Sequence, residues 1–118
     1  MSDPVWKIFS GYLFILLILI FSAGSVHSQI VVTHFNAEWN NANKAEWVGN
    51  LNDCEITYVD IGKSPKIQKK HKVVVVPTII MFKDGEEVDR WQADLSFKMI
   101  ATHKELQNKI DELIMSDF

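Results

Sequence analysis

Apolar and polar positions along this chain fall into short blocks with two different rhythms. "QIVVTHF" (29–35) is apolar and β-branched, the make-up of a buried strand. After "FNAEW", Asn40 or Asn41 offers an N-cap, and Ala42, Ala45, Val48 and Leu51 recur at helical spacing until Gly49 and "NLND" break the pattern. "EITYVDI" (55–61) predicts a second strand. "GKSP" then supplies Ser64 as N-cap and Pro65 at the first position of a short helix that carries Ile67 and closes near Lys72. "TIIMF" after Pro77 is apolar on both faces, as a central strand should be. "KDGE" holds the Asp-Gly pair of a tight hairpin, so a fourth strand begins at Glu87. Thr102 and Glu105 match a capping box, in which hydroxyl and carboxylate each satisfy a backbone N–H, and Leu106, Ile110, Leu113 and Ile114 form one stripe of a final helix.

The order is therefore β-α-β-α-β-β-α: two parallel crossovers, then a hairpin, giving an α/β domain with a four-stranded mixed sheet. Between the fourth strand and the last helix, Ala93, Leu95, Phe97, Met99 and Ala101 alternate with Asp94, Ser96 and Lys98. This period of two predicts that the fourth strand runs on from Trp91 towards Met99 as an edge ribbon able to pair with another protein. The alternative is an irregular loop that packs Phe97 and Met99 onto the domain.

The first 28 residues change the picture of where the domain works. Residues 8–24 are an uncharged apolar run of 17, preceded by Lys7, and Val26 and Ser28 sit at −3 and −1 of a small-residue cleavage site before Gln29. The segment reads as a secretory signal peptide. An uncleaved N-terminal membrane anchor is the rival, near the lower length limit for spanning ~30 Å. Both export the 29–118 domain to the periplasm or beyond, and membrane contact would come through residues 8–24 alone.

Twelve basic against fifteen acidic residues leave a net charge of −3, which argues against nucleic acid as a partner. The run Lys66, Lys69, Lys70, Lys72 reads as a solvated face. Cys54 is the single cysteine, so no internal disulfide forms; it reads as a structural thiol, with a reactive or intermolecular role as the alternative. His34, His71 and His103 lack metal-ligand spacing, so no metal and no cofactor are expected. His34, in mid-strand, reads as a core histidine with one hydrogen-bonded nitrogen rather than a ligand or base.

With "AEW" before the first helix and "VPTIIMFKDGEEV" before the last, residues 30–115 resemble the thioredoxin family. The resemblance implies a thioredoxin-like fold and a cis Val76–Pro77 bond facing a redox site. Where the family carries Trp-Cys-Gly-Pro-Cys-Lys, this chain has Trp39-Asn40-Asn41-Ala42-Asn43-Lys44; the family's buried aspartate falls at His34 and its partner lysine at Tyr58. Without thiols at 40 and 43, no residue is assigned a catalytic role. The asparagines either cap a helix, or line with Trp39, Val76 and Pro77 a groove that hydrogen-bonds an extended chain. The family's first strand and helix are missing, which leaves the 55–61 strand as an edge. The expected function is a redox-inactive module binding a protein partner through Trp39, Asn40, Asn43, Val76 and Pro77, or through the ribbon residues Trp91, Leu95, Phe97 and Met99. The alternatives are a thiol–disulfide oxidoreductase using Cys54 with a partner's thiol, and self-association through the ribbon.

Overall fold

A computed structural model describes residues 29–117, and the expected leader lies outside the described residues. Four strands, β1 (Ile30–Asn36), β2 (Glu55–Asp60), β3 (Thr78–Lys83) and β4 (Glu86–Gln92), form one sheet in the order β2-β1-β3-β4. β1 runs parallel to β2 and antiparallel to β3, and β3 runs antiparallel to β4. This is the expected α/β class with a four-stranded mixed sheet, and β2 is one of its edges.

Strand periodicity sorts the core into two layers. Ile30 and Val32 of β1 share a face with Ile79 and Met81 of β3, and there they meet Leu106 and Ile110 of helix α2 (His103–Met115). The opposite face carries Phe35 and Ile80 with Val73 and Val76. Helix α1 (Pro65–Lys70) buries none of its residues, so it adds little to either layer. The β3–β4 turn is two residues long, with Asp84 at φ 53° and Gly85 at φ 86°, the left-handed pair that matches strand twist. The ladder slips between Met81 and Phe82, leaving Val88 unpaired as a bulge.

Four expectations need correction. The segment after β1 is not one α-helix capped by asparagine. It is two 3-10 helices, Glu38–Asn43 and Glu46–Asn50, with Lys44 extended between them and no side-chain cap at Ala37. The cause lies in hydrogen bonds that compete with the helical ladder. Asn40 turns its amide inward at non-helical φ −110°, ψ 19°, and the Ala45 N–H donates to His34 Nε2 at 3.1 Å instead of continuing the helix. Ser64 likewise caps nothing with its side chain; its carbonyl, with Pro65 in the first turn, starts α1.

The capping box is half built. The Glu105 N–H donates to Thr102 Oγ1 at 3.3 Å, but the Glu105 carboxylate accepts from the Trp91 indole at 2.8 Å instead of returning to the backbone. Finally, the edge ribbon is absent. β4 stops at Gln92, and residues 93–99 fold back so that Ala93 bridges Met99. Asp94 causes the reversal. Its Oδ1 accepts from the N–H groups of Ser96 (2.8 Å) and Lys98 (3.2 Å) and from the Ser96 hydroxyl. An acceptor with three local donors outcompetes strand pairing.

Candidate functional site

Three loops converge at the carboxyl end of β1: the first 3-10 helix, the 73–77 segment before β3, and the 93–101 loop. Asn40 joins them. Its side chain is buried, with 3% of its surface exposed. Asn40 Nδ2 lies 3.1 Å from Asn36 Oδ1, 3.3 Å from Val76 O and 3.2 Å from Phe97 O. Two protons serve three acceptors, so one bond is three-centred. Asn43 Nδ2 donates to Asn40 Oδ1 at 2.8 Å, and Asn36 Nδ2 returns a bond to the Asn40 carbonyl at 3.2 Å. Among the described residues, no buried side-chain polar atom lacks a partner. The Asn40 amide thus has no free N–H for an extended chain; burial has made it part of the scaffold.

The Val76–Pro77 peptide bond is cis. Val76 O is already taken by Asn40, and Pro77 O accepts from the Ala93 N–H at 3.0 Å. Trp39 stands outside this network, 69% exposed, and its ring meets that of Phe97 in a T-shaped pair at a centroid distance of 5.2 Å and an interplanar angle of 89°. Phe97 holds φ 63°, which for a residue with a Cβ costs about 1–2 kcal/mol.

The site therefore gathers Trp39, Asn40, Asn43, Val76, Pro77 and Phe97. It does not gather the rest of the expected ribbon. Trp91 packs beneath α2 and bonds Glu105, Met99 packs on the same core layer, and Leu95 projects fully exposed from the loop tip. Sequence reasoning missed Asn36. Its signal was available: an amide at the end of a buried strand, four residues before Asn40, must find an internal partner.

Beside this junction a cleft of about 510 Å³ opens over β2, lined among others by His34, Glu38, Lys44, Tyr58, Asp60 and Lys63. His34 forms its floor. Burial, with a contribution from the Lys44 ammonium, lowers the imidazole to about 4 despite a bond to its own backbone that favours protonation. It is neutral near pH 7, with Nε2 occupied by the Ala45 N–H. Among the described residues, no three His, Cys, Asp or Glu side chains cluster to hold a metal, and no helix is long and apolar enough to cross a membrane.

Cys54 sits at the other end of the sheet. It precedes Glu55, which pairs with Val31, whereas the asparagines follow Asn36 five ladder positions on. That is roughly 17 Å of strand. Burial, then the Asp53 carboxylate, push its thiol above the ordinary range. No nucleophile reaches the loop junction from there.

No family model matches the sequence. A thioredoxin of Chlamydia trachomatis serovar D is 34% identical over 92 residues, covering 70% of this chain and 90% of that protein. The structure of Fasciola hepatica thioredoxin superposes with a TM-score of 0.54 at 27% identity, over 80% of this chain and 90% of that one. A single-site mutant of a thioredoxin from Halobacterium salinarum superposes at 0.59 over 73% of this chain and 75% of that one, and at 20% identity it bears on the fold alone. One-third identity over nine-tenths of a whole thioredoxin, on a sheet that superposes with two others, makes this chain a member of the thioredoxin family.

Proposed function

We propose that this chain is an exported, redox-inactive thioredoxin-like protein that binds a protein partner. The observation that carries the reading is the pair Asn40 and Asn43. They stand where the resemblance places the two cysteines, hydrogen-bonded to each other at 2.8 Å, with the one thiol of the chain at the far end of the sheet. Disulfide exchange needs a thiolate to attack and a sulfur to leave, and an amide supplies neither. What the loop junction offers instead is exposed apolar surface: Trp39, Val74, Leu95, Phe97 and Ile100 lie on its three loops. Tryptophan is enriched among the residues that anchor protein interfaces, and the exposed apolar surface around Trp39 adds area to be removed from water.

Export rests on the leader, read as a signal peptide or anchor at residues 1–28. Amino-terminal sequencing of the protein from its native envelope fraction should begin at Gln29 or at the start methionine. A cytoplasmic pool would remove export from the reading. For the chemistry, insulin reduction with dithiothreitol as reductant should proceed at the uncatalysed rate in the presence of the full-length chain. Turnover above that rate would falsify the redox-inactive reading. A Cys54-based oxidoreductase has no support from the position or acidity of that thiol.

A further inference from the structure

We infer that the 93–99 loop is a self-bound ligand: it fills the chain's own polypeptide site, and the partner is a peptide segment whose aromatic residue replaces Phe97. The inference rests on the partner-binding reading above and names the chemistry of that partner. Two contacts hold the loop tip to the site. The Phe97 carbonyl accepts from Asn40 Nδ2 at 3.2 Å, and the Phe97 ring meets exposed Trp39 edge-on at 5.2 Å. A carbonyl bonded to a fixed amide, with the attached ring on a tryptophan, is a minimal peptide contact: the main chain gives affinity and one aromatic residue gives specificity.

The loop also carries the marks of a removable occupant. Phe97 sits in the left-handed region, a conformation that a side chain disfavours, and Leu95 beside it is fully exposed. The loop is closed by few bonds: the Asp94 carboxylate accepts from Ser96 and Lys98, the Asp94 N–H donates to Lys98 O, and the Phe97 N–H donates to Asp94 O. At its base, Ala93 is tied to Pro77 O and Met99 to the core, so the tip from 94 to 98 can lift while both ends stay attached. Lifting uncovers the Trp39 ring and vacates one of the three acceptor positions around Asn40 Nδ2, leaving the Asn36 and Val76 bonds in place.

The test uses the full-length chain in detergent and a fluorescein-labelled synthetic peptide of residues 93–99 with blocked ends, read by anisotropy. In a D94A/F97A variant, which loses the brace and the ring, the peptide should bind at least tenfold tighter than to the wild type. A peptide with alanine for phenylalanine should lose at least tenfold. F97G is the milder second variant, since glycine suits φ 63° and keeps the fold; it should gain at least threefold, and carries the test if the double variant does not fold. Equal binding to wild type and opened variants, or binding blind to the phenylalanine, overturns the proposal. So does a concentration-dependent dimer of the opened variant that the peptide dissolves, because the occupant would then be a second copy of this chain. None of these outcomes bears on insulin turnover, so the self-bound loop and the redox-inactive reading fail separately.

Discussion

Replacing Asn40 by alanine is the most direct probe of the loop junction. The substitution removes the donor from Asn36 Oδ1 and from Val76 O, both buried acceptors. Each buried acceptor left without a partner costs about 1–3 kcal/mol, so the pair costs roughly 2–6 kcal/mol. Phe97 O and Asn43 Nδ2 also lose a partner, but both bonds are half-buried and water can replace Asn40 there. Against a total stability on the order of 5–15 kcal/mol this is a severe loss. At ~4–8 °C per kcal/mol for a domain of this size, the melting temperature falls by at least about 8 °C. Urea and thermal unfolding followed by far-ultraviolet circular dichroism measure it. Asn41→Ala is the control: Asn41 is exposed, and its substitution should stay within about 0.5 kcal/mol of the wild type. If Asn40→Ala costs no more than Asn41→Ala, the Asn40 amide is not a structural hub, and the account of the junction is wrong.

Three other outcomes follow from the same structure. His34 is held near 4 in the folded chain against about 6.5 when unfolded, so the unfolded state binds the extra proton between those values. Stability is therefore full above about pH 6.5 and falls as pH drops towards 4, by about 3 kcal/mol in all; His34→Phe should flatten this slope in urea titrations, and an unchanged slope would clear His34 of the effect. Thr102→Ala removes the bond from the Glu105 N–H and should cost about 1 kcal/mol, whereas Glu105→Gln keeps that backbone bond and should cost less; equal losses would mean the carboxylate, not the hydroxyl, starts α2. Alkylation of Cys54 by iodoacetamide near neutral pH should be slower in the folded chain than in urea, because burial and Asp53 hold the thiol protonated; labelling at the unfolded rate would reopen a redox role.

What could be read from the sequence is what depends on side-chain periodicity. Continuous apolar, β-branched runs in "QIVVTHF" and "TIIMF" located two central strands, because both faces are covered: Val32 and Ile79 lie towards α2, Phe35 and Ile80 on the other side. Asp84-Gly85 located the hairpin because few other pairs tolerate two positive φ angles in succession. The two segments that misled are those where short polar side chains bond the backbone. Ala42, Ala45, Val48 and Leu51 keep helical spacing, and the last three are buried. Yet Asn40 and His34 draw the backbone into two 3-10 turns. In 93–99 the alternation is equally regular, and the Asp94 side chain, with backbone bonds from Asp94 N–H to Lys98 O and from Phe97 N–H to Asp94 O, turns the chain back on itself. Periodicity reports which residues face a core; it is silent about carboxamides and carboxylates that offer the backbone a nearer partner.

That silence falls on the residues that distinguish this chain chemically. A carboxamide at position 40 both donates and accepts, so it can bind Val76, Phe97 and Asn36 through its nitrogen while Asn43 fills its oxygen. A thiol in that place is a weak single donor and could not satisfy the same three carbonyls. The bonds that bury the Asn40 amide are the ones that hold three loops together beneath Trp39. Recognition then falls to the tryptophan ring and to the half-buried bond that Asn40 makes to the 93–99 loop, the one to Phe97. The buried bonds to Asn36 and Val76 are costly to break; the bond to Phe97 is open to exchange, because another carbonyl can take its place without leaving a buried donor unpaired.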